Sequence, residues 1–139
     1  MPNVRAGWKN GKWALDSDEF LTAYYYAKNY DKWMDRLAGL NGGLSGVSYD
    51  GLNVQTSGNY NATEHDAIER ADLTLKIQKI KDAAIETDKV LAPYLMKMAT
   101  TRQHISYFYL SNTMNIPCGK DLYYEKRHKF YYILFHKIT

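Results

Sequence analysis

The spacing of apolar residues along the chain predicts an all-α protein. A first long amphipathic helix follows the capping segment 16–19 and runs to Leu40. Its apolar residues recur at intervals of three and four positions: Phe20, Tyr24, Ala27, Met34 and Leu37. We expect this face to be buried.

A second long amphipathic helix is predicted from Glu64 to about Thr87, with Asn61 or Thr63 as its cap. Its apolar stripe is Ile68, Ala71 and Leu75, with Leu73, Ile77, Ile80 and Ala84 beside it. The glycine-rich and serine-rich segment 41–62 reads as a flexible linker between the two long helices. The helices should therefore pair antiparallel, either within one chain or between two chains.

The C-terminal third predicts a three-helix unit that contains a helix-turn-helix. A shorter helix runs from Lys89 to about Thr100, and two further helical patterns lie between residues 106 and 134. They are separated by a break at residues 115–119, where Pro117 would not be tolerated inside a continuous helix. The alternative interpretation is the terminal helical hairpin of a small helical protein, with a basic face that water solvates.

The last helix separates an apolar from a basic, aromatic side. The predicted inner stripe is Leu122, Tyr123, Phe130, Ile133 and Leu134. In the helix-turn-helix motif the second helix enters the major groove, and its early residues meet base edges. The predicted DNA-binding residues are Lys120, Tyr124 and Arg127 at base edges or nearby phosphates, with Lys126, His128 and Lys129 beside them.

The N-terminal residues 5–15 predict a small β-hairpin around Asn10-Gly11, which would pair Trp8 with Trp13. The alternative is an unstructured arm whose tryptophans dock on the first helix. The predicted organisation is thus an arm or hairpin at 1–15, a two-helix region at 16–88 and a DNA-binding region at 89–139.

The net charge of +3 conceals an asymmetry. From Lys97 onward basic residues outnumber acidic ones by seven to two, whereas the preceding part has more acidic than basic residues. Basicity concentrated around one motif is typical of a face that binds a polyanion. The sequence has no run of eighteen apolar residues and no secretory signal, and Cys118 is its single cysteine. These features predict a cytoplasmic protein that does not enter a membrane.

The sequence gives little support for catalysis. The four histidines stand apart, and none joins Cys118 or another histidine at the close spacing of a zinc site. A small residue in the predicted turn accounts for Cys118 through packing. We therefore expect no enzyme, no catalytic residue, no metal and no cofactor.

The segment 92–138, with its distinctive run IPCGKDLYYEKRHKFYYIL, resembles the C-terminal part of the phage transcriptional regulators of the RinA and ArpU families. The upstream order of long helix, glycine-rich linker and second helix is also similar to that family. The resemblance implies a sequence-specific activator of phage or prophage operons in a bacterial host, with a C-terminal module like the promoter-reading region of sigma factors. It implies double-stranded DNA as the partner, with RNA polymerase and a second copy of the chain as further candidates.

Two other functions fit the same features. A small terminase subunit, which binds phage DNA for packaging, also joins a helix-turn-helix to oligomerising helices and would form a ring of many copies. A protein-interaction module could use the basic helix to contact RNA polymerase instead of DNA. Light scattering separates the first from a monomer or dimer, and a mobility shift on promoter fragments separates the second.

Overall fold

The structure is a computed structural model that describes residues 11–42 and 60–139, with side chains described from Glu64 in the second range. These residues contain helices and no strand, which confirms the all-α prediction for the part of the chain described. The helices are α1 (Ser17–Lys28), α2 (Tyr30–Leu40), α3 (Tyr60–Thr87), α4 (Ala92–Thr100), α5 (Tyr107–Met114) and α6 (Lys120–Ile138).

The chain forms two structural units, and one of them combines two segments that are far apart in the sequence. Among the described residues, one unit contains 11–30 and 79–139, and the other contains 31–42 and 60–78. The first unit therefore combines α1 and the end of α3 with α4, α5 and α6. The predicted ranges 16–88 and 89–139 instead divide the chain at a single point.

The first unit is built around a core of aromatic and small apolar side chains. Asp16 caps α1, because its carboxylate accepts a hydrogen bond from the backbone N–H of Glu19 at 2.8 Å and the Glu19 side chain accepts one from Asp16 at 3.0 Å. The largest fully buried side chains of this unit are Phe20, Ile80, Leu95, Leu110, Tyr123, Phe130, Tyr131 and Leu134. As predicted, Phe20, Tyr24 and Ala27 are buried on α1.

The prediction of one unbroken first helix is wrong. The helix ends at Lys28, and α2 begins at Tyr30. Asn29 lies between them, with its backbone N–H bonded to the Tyr26 carbonyl at 3.1 Å and its side-chain amide bonded to the Tyr25 carbonyl at 2.9 Å. An asparagine side chain that competes for backbone carbonyls in this way favours a helix end. Met34, predicted to be buried, is 37% exposed.

In the second unit, α2 and the first part of α3 run antiparallel within one chain. Lys76 lies over the Trp33 ring, with Nζ 5.4 Å from its centroid, whereas at the other end Arg70 Nη2 donates to the Leu40 carbonyl at 3.1 Å. Between them, the Arg36 guanidinium donates to both oxygens of Glu69 at 2.7 and 2.8 Å. The predicted antiparallel pairing therefore holds within the chain.

The predicted stripe of α3 is wrong at its centre and right for the apolar residues beside it. Ile68 is 68% exposed and Leu75 is 58% exposed, whereas Leu73, Ile77 and Ile80 are buried. Ala71 is exposed and Ala84 is buried. The helix carries apolar residues on two sides, so spacing alone cannot select the side that packs. It also starts at Tyr60, inside the predicted linker, so Asn61 and Thr63 lie within the helix instead of before it.

Two predictions fall largely outside the described residues. Trp8 and Asn10 of the predicted hairpin are outside them, and Gly11 is described with φ at 99°, an angle that favours glycine. Most of the predicted linker, residues 43–59, is also outside. Within the described ranges no helix is both long and apolar enough to cross a membrane.

Candidate nucleic-acid interface

The predicted break before the last helix is a tight turn between α5 and α6. Ser106 caps α5 by accepting a hydrogen bond from the Tyr109 backbone N–H at 3.1 Å. At the other end Asn115 adopts the left-handed conformation, with φ at 53°, and the Ile116 N–H bonds back to the Leu110 carbonyl at 3.0 Å. A left-handed residue, with a backbone N–H near it bonded back to a carbonyl of the last turns, is a common way for a helix to end.

Further contacts hold the turn against both helices. The Tyr107 hydroxyl donates to the Cys118 carbonyl at 2.7 Å, and its ring lies 5.6 Å from the buried ring of Tyr123 on α6. Ile116 is buried in the turn itself. The turn is therefore fixed to the start of α6.

Lys120 and Tyr124 are exposed on the first turns of α6. The Tyr124 ring is 38% exposed, and its centroid lies 5.1 Å from that of Tyr123. Contact with a buried neighbour limits the positions of the Tyr124 ring while leaving much of its surface open. These two side chains lie where the sequence predicted them.

Arg127 was predicted to face outward, and this prediction is wrong. Its guanidinium carbon lies 5.2 Å from the Tyr131 ring centroid and 5.7 Å from the Phe20 ring centroid, and the side chain is partly buried. At helical spacing Arg127 falls between Tyr123, Tyr131 and Leu134, all of which are buried. Leu122, predicted to be buried, is instead 44% exposed. The packed side of α6 is thus rotated relative to the predicted one.

Lys126 is paired within the protein. Its ammonium lies 3.5 Å from an Asp88 carboxylate oxygen, and both side chains are mostly covered. Asp88 also accepts hydrogen bonds from the backbone N–H groups of Val90 and Leu91 at 2.9 and 3.0 Å. The bond from Leu91 is the main cause that lowers the pKa of Asp88, and Lys126 adds to it. Lys126 therefore connects α6 to the turn before α4.

Lys129 lies against the N-terminal segment. Its ammonium is 5.3 Å from the Trp13 ring centroid, and the same ring meets Tyr132 edge-on at a centroid distance of 5.4 Å. Trp13 thus covers part of the side of α6 that carries Lys129. A lysine over an indole face gains cation–π attraction, which positions it within the protein.

His128 is partly buried beside Arg127. Burial is the main cause that lowers the pKa of His128, and the positive charge of Arg127 lowers it further. The imidazole is therefore neutral near pH 7, and it adds no positive charge to the surface.

A cleft of about 540 Å³ lies between the N-terminal segment and α6. Its lining residues are Gly11, Lys12, Trp13, Asp121, Tyr124, Glu125 and His128. Asp121 and Glu125 bring two negative charges to this side of the helix. The side of α6 that suits an anion is therefore the neighbouring one, which carries Lys120 and Tyr124, with Arg127 at its border with the packed side.

The chemistry of two other groups differs from that of a reactive site. Burial raises the pKa of the Cys118 thiol, and the thiol is therefore protonated near neutral pH. On α3, His65, Asp66 and Glu69 bring ligand atoms within 4.8 Å of one another, although no spacing typical of a metal site marks them in the sequence. Both oxygens of Glu69 accept hydrogen bonds from Arg36, so the cluster forms an ion pair with an arginine.

The chain matches no family model, no curated protein and no solved structure. The resemblance to the RinA and ArpU regulators therefore stays a prediction.

Proposed function

We propose that the protein is a sequence-specific double-stranded DNA-binding regulator, an activator of phage or prophage operons that acts in the cytoplasm of a bacterial host. The observation that carries the proposal is the exposure of Lys120 and Tyr124 at the start of α6, directly after the tight turn from α5. In helix-turn-helix proteins this is the part of the second helix that reaches base edges.

The start of α6 also suits a phosphate. Gly119 is the N-cap residue of α6, and as a glycine it has no side chain that could accept a hydrogen bond. The first backbone N–H groups of α6 are therefore not capped by a side chain of Gly119. A helix of 19 residues carries partial positive charge at this end. Backbone donors there would hold a phosphate and set the register of the helix in the groove.

The structure changes the roles within the predicted set of DNA-binding residues. Lys120 and Tyr124 keep their proposed contacts with DNA, and Arg127 lies at the inner edge of the same stripe. Lys126 and Lys129 instead hold α6 to the rest of its unit through Asp88 and Trp13. Among the predicted residues of α6, we therefore assign DNA contact to Lys120, Tyr124 and Arg127.

Selection from a random-sequence pool of duplexes tests the proposal. The full chain should enrich a common sequence, and Lys120→Gln should weaken binding to it by about 1 to 3 kcal/mol if Lys120 reads a guanine. Lys32→Gln removes an equally exposed charge from α2 in the other unit and is the matched control. Circular dichroism should show both variants folded. Failure to enrich any sequence, with equal affinity of wild type and Lys120→Gln for the pool, would reject the proposal.

A further inference from the structure

Two cations rest on one aromatic cluster in the first unit. The Lys28 ammonium, at the end of α1, lies 4.9 Å from the Tyr24 ring centroid. The Arg127 guanidinium, on α6, lies 5.2 Å from the Tyr131 ring centroid. The Tyr24 and Tyr131 centroids are 6.3 Å apart, so the two positive groups occupy neighbouring rings.

A third cation is joined to them through the backbone. Lys28 Nζ donates to the Thr101 carbonyl at 2.7 Å and to the Met98 carbonyl at 3.3 Å. Arg102 follows Thr101 directly and is exposed. Residues far apart in the sequence thus place Lys28, Arg102 and Arg127 together, which no local pattern predicted.

The charges within this group act against one another. Burial is the main cause that lowers the pKa of Lys28, to about 8, and the positive charges of Arg127 and Arg102 lower it further. Gathering cations in this way costs free energy in the unbound protein, and an anion would offset that cost. The cluster is therefore suited to receive negative charge from outside.

Each cation retains donors for an anion. An ammonium has three N–H donors. The Thr101 and Met98 carbonyls accept two hydrogen bonds from Lys28, which leaves one donor for an anion. Arg127 contacts the rings of Phe20 and Tyr131, and a guanidinium over a ring keeps its N–H donors at its edge. Arg102 is exposed and presents the planar fork that matches a phosphate.

We propose that Lys28, Arg102 and Arg127 form a binding site for a backbone phosphate of the DNA whose groove receives the start of α6. This inference rests on the proposed function. Arg127 borders the exposed side of α6 that carries Lys120 and Tyr124, so one duplex can meet these two residues and the cluster together. The cluster fixes the position of the duplex and carries no sequence information, because a phosphate is common to every nucleotide.

The test measures the affinity of the full chain for a selected duplex and for a random duplex over a range of salt concentrations. Arg102→Gln should weaken binding to both duplexes equally and reduce the slope of log affinity against log salt by about 0.9. Arg127→Lys keeps the charge and should keep the slope, whereas Arg127→Gln should reduce it. Lys32→Gln is the charge-matched control and should leave the slope unchanged. Thermal melting checks that each variant is folded.

The outcomes separate this site from the proposed function. Normal DNA binding with an unchanged salt slope in Arg102→Gln and in Arg127→Gln overturns the phosphate site and leaves the function standing. If no duplex binds, titration with inorganic phosphate followed by NMR decides the site. Shifts at Arg102 and Arg127 would then support a site for free phosphate and reject DNA as the partner, whereas no shifts would overturn the site as well.

Discussion

The guanidinium of Arg127 lies over the ring of Tyr131, one turn further along α6, at 5.2 Å from the ring centroid. The contact places a charged residue on the packed side of the helix, where it also meets Phe20 from α1 at 5.7 Å. Arg127 thus has a structural role in addition to the phosphate contact proposed for it.

Arg127→Ala should lower the free energy of unfolding by about 1 to 2 kcal/mol. Each cation–π contact contributes about 0.5 to 1 kcal/mol, and the stem of the arginine covers apolar surface as well. Lys120→Ala, at an exposed position on the same stripe, should change stability by less than about 0.5 kcal/mol. Urea titration measures both, and equal stabilities would mean that Arg127 does not pack as described.

A second pair of substitutions tests the rotation of α6. Phe130 is fully buried and Leu122 is 44% exposed. Phe130→Ala should cost about 3 to 5 kcal/mol because it leaves a cavity in the core. Leu122→Ala should cost under about 1 kcal/mol, since nearly half of the side chain stays in water in the folded protein. A loss in Leu122→Ala as large as that in Phe130→Ala would restore the stripe predicted from the sequence, which buries both residues.

The rotation shows where the sequence was informative. The break at 115–119 and the start of α6 followed from Pro117 and local spacing, because turn chemistry acts between near neighbours. The side of α6 that packs did not follow, since apolar and aromatic residues lie all around this helix. The stripe drawn through its apolar residues placed Leu122 inside and left Arg127 outside.

The cluster of Lys28, Arg102 and Arg127 could not be predicted from the sequence for a different reason. Lys28 ends α1, Arg102 lies in the loop after α4, and only tertiary packing brings them to Arg127. Likewise the partner of Lys126, Asp88, is 38 positions earlier in the chain. The sequence shows which residues are charged, but which of them contact one another depends on the tertiary structure.

The pairing of Lys126 predicts a difference between two lysines of α6. Lys126→Gln should leave DNA affinity unchanged and lower stability by up to about 1 kcal/mol, because its partner is Asp88. Lys120→Gln should do the opposite, reducing affinity at unchanged stability. Fluorescence anisotropy with a selected duplex and a thermal melt give both quantities. A larger loss of affinity in Lys126→Gln would place the wrong lysine on the DNA.

Buried tyrosines make the protein sensitive to alkali. Burial raises the pKa of Tyr131 from 10.0 to about 12, and it raises that of Tyr123 as well. Between pH 10 and 12 the unfolded chain therefore loses phenolic protons that the folded chain keeps. Stability falls as pH rises through this window, by about 1.4 kcal/mol per pH unit for each such group.

Tyr131→Phe should make that fall shallower, since phenylalanine has no proton to lose. Tyr124→Phe, which removes a phenol from an exposed ring of the same helix, is the matched control for the substitution itself. Urea titrations at several pH values between 10 and 12 give the slopes. A wild-type slope in Tyr131→Phe would show that this phenol ionises equally well in the folded chain.

An NMR titration of the isotope-labelled full chain with a selected DNA duplex tests the central claim most directly. We predict the largest changes in backbone amide signals at the start of α6, around Lys120 and Tyr124, with further changes at Arg102 and Arg127. The absence of changes at the start of α6, or changes confined to residues 31–42 and 60–78, would contradict the account.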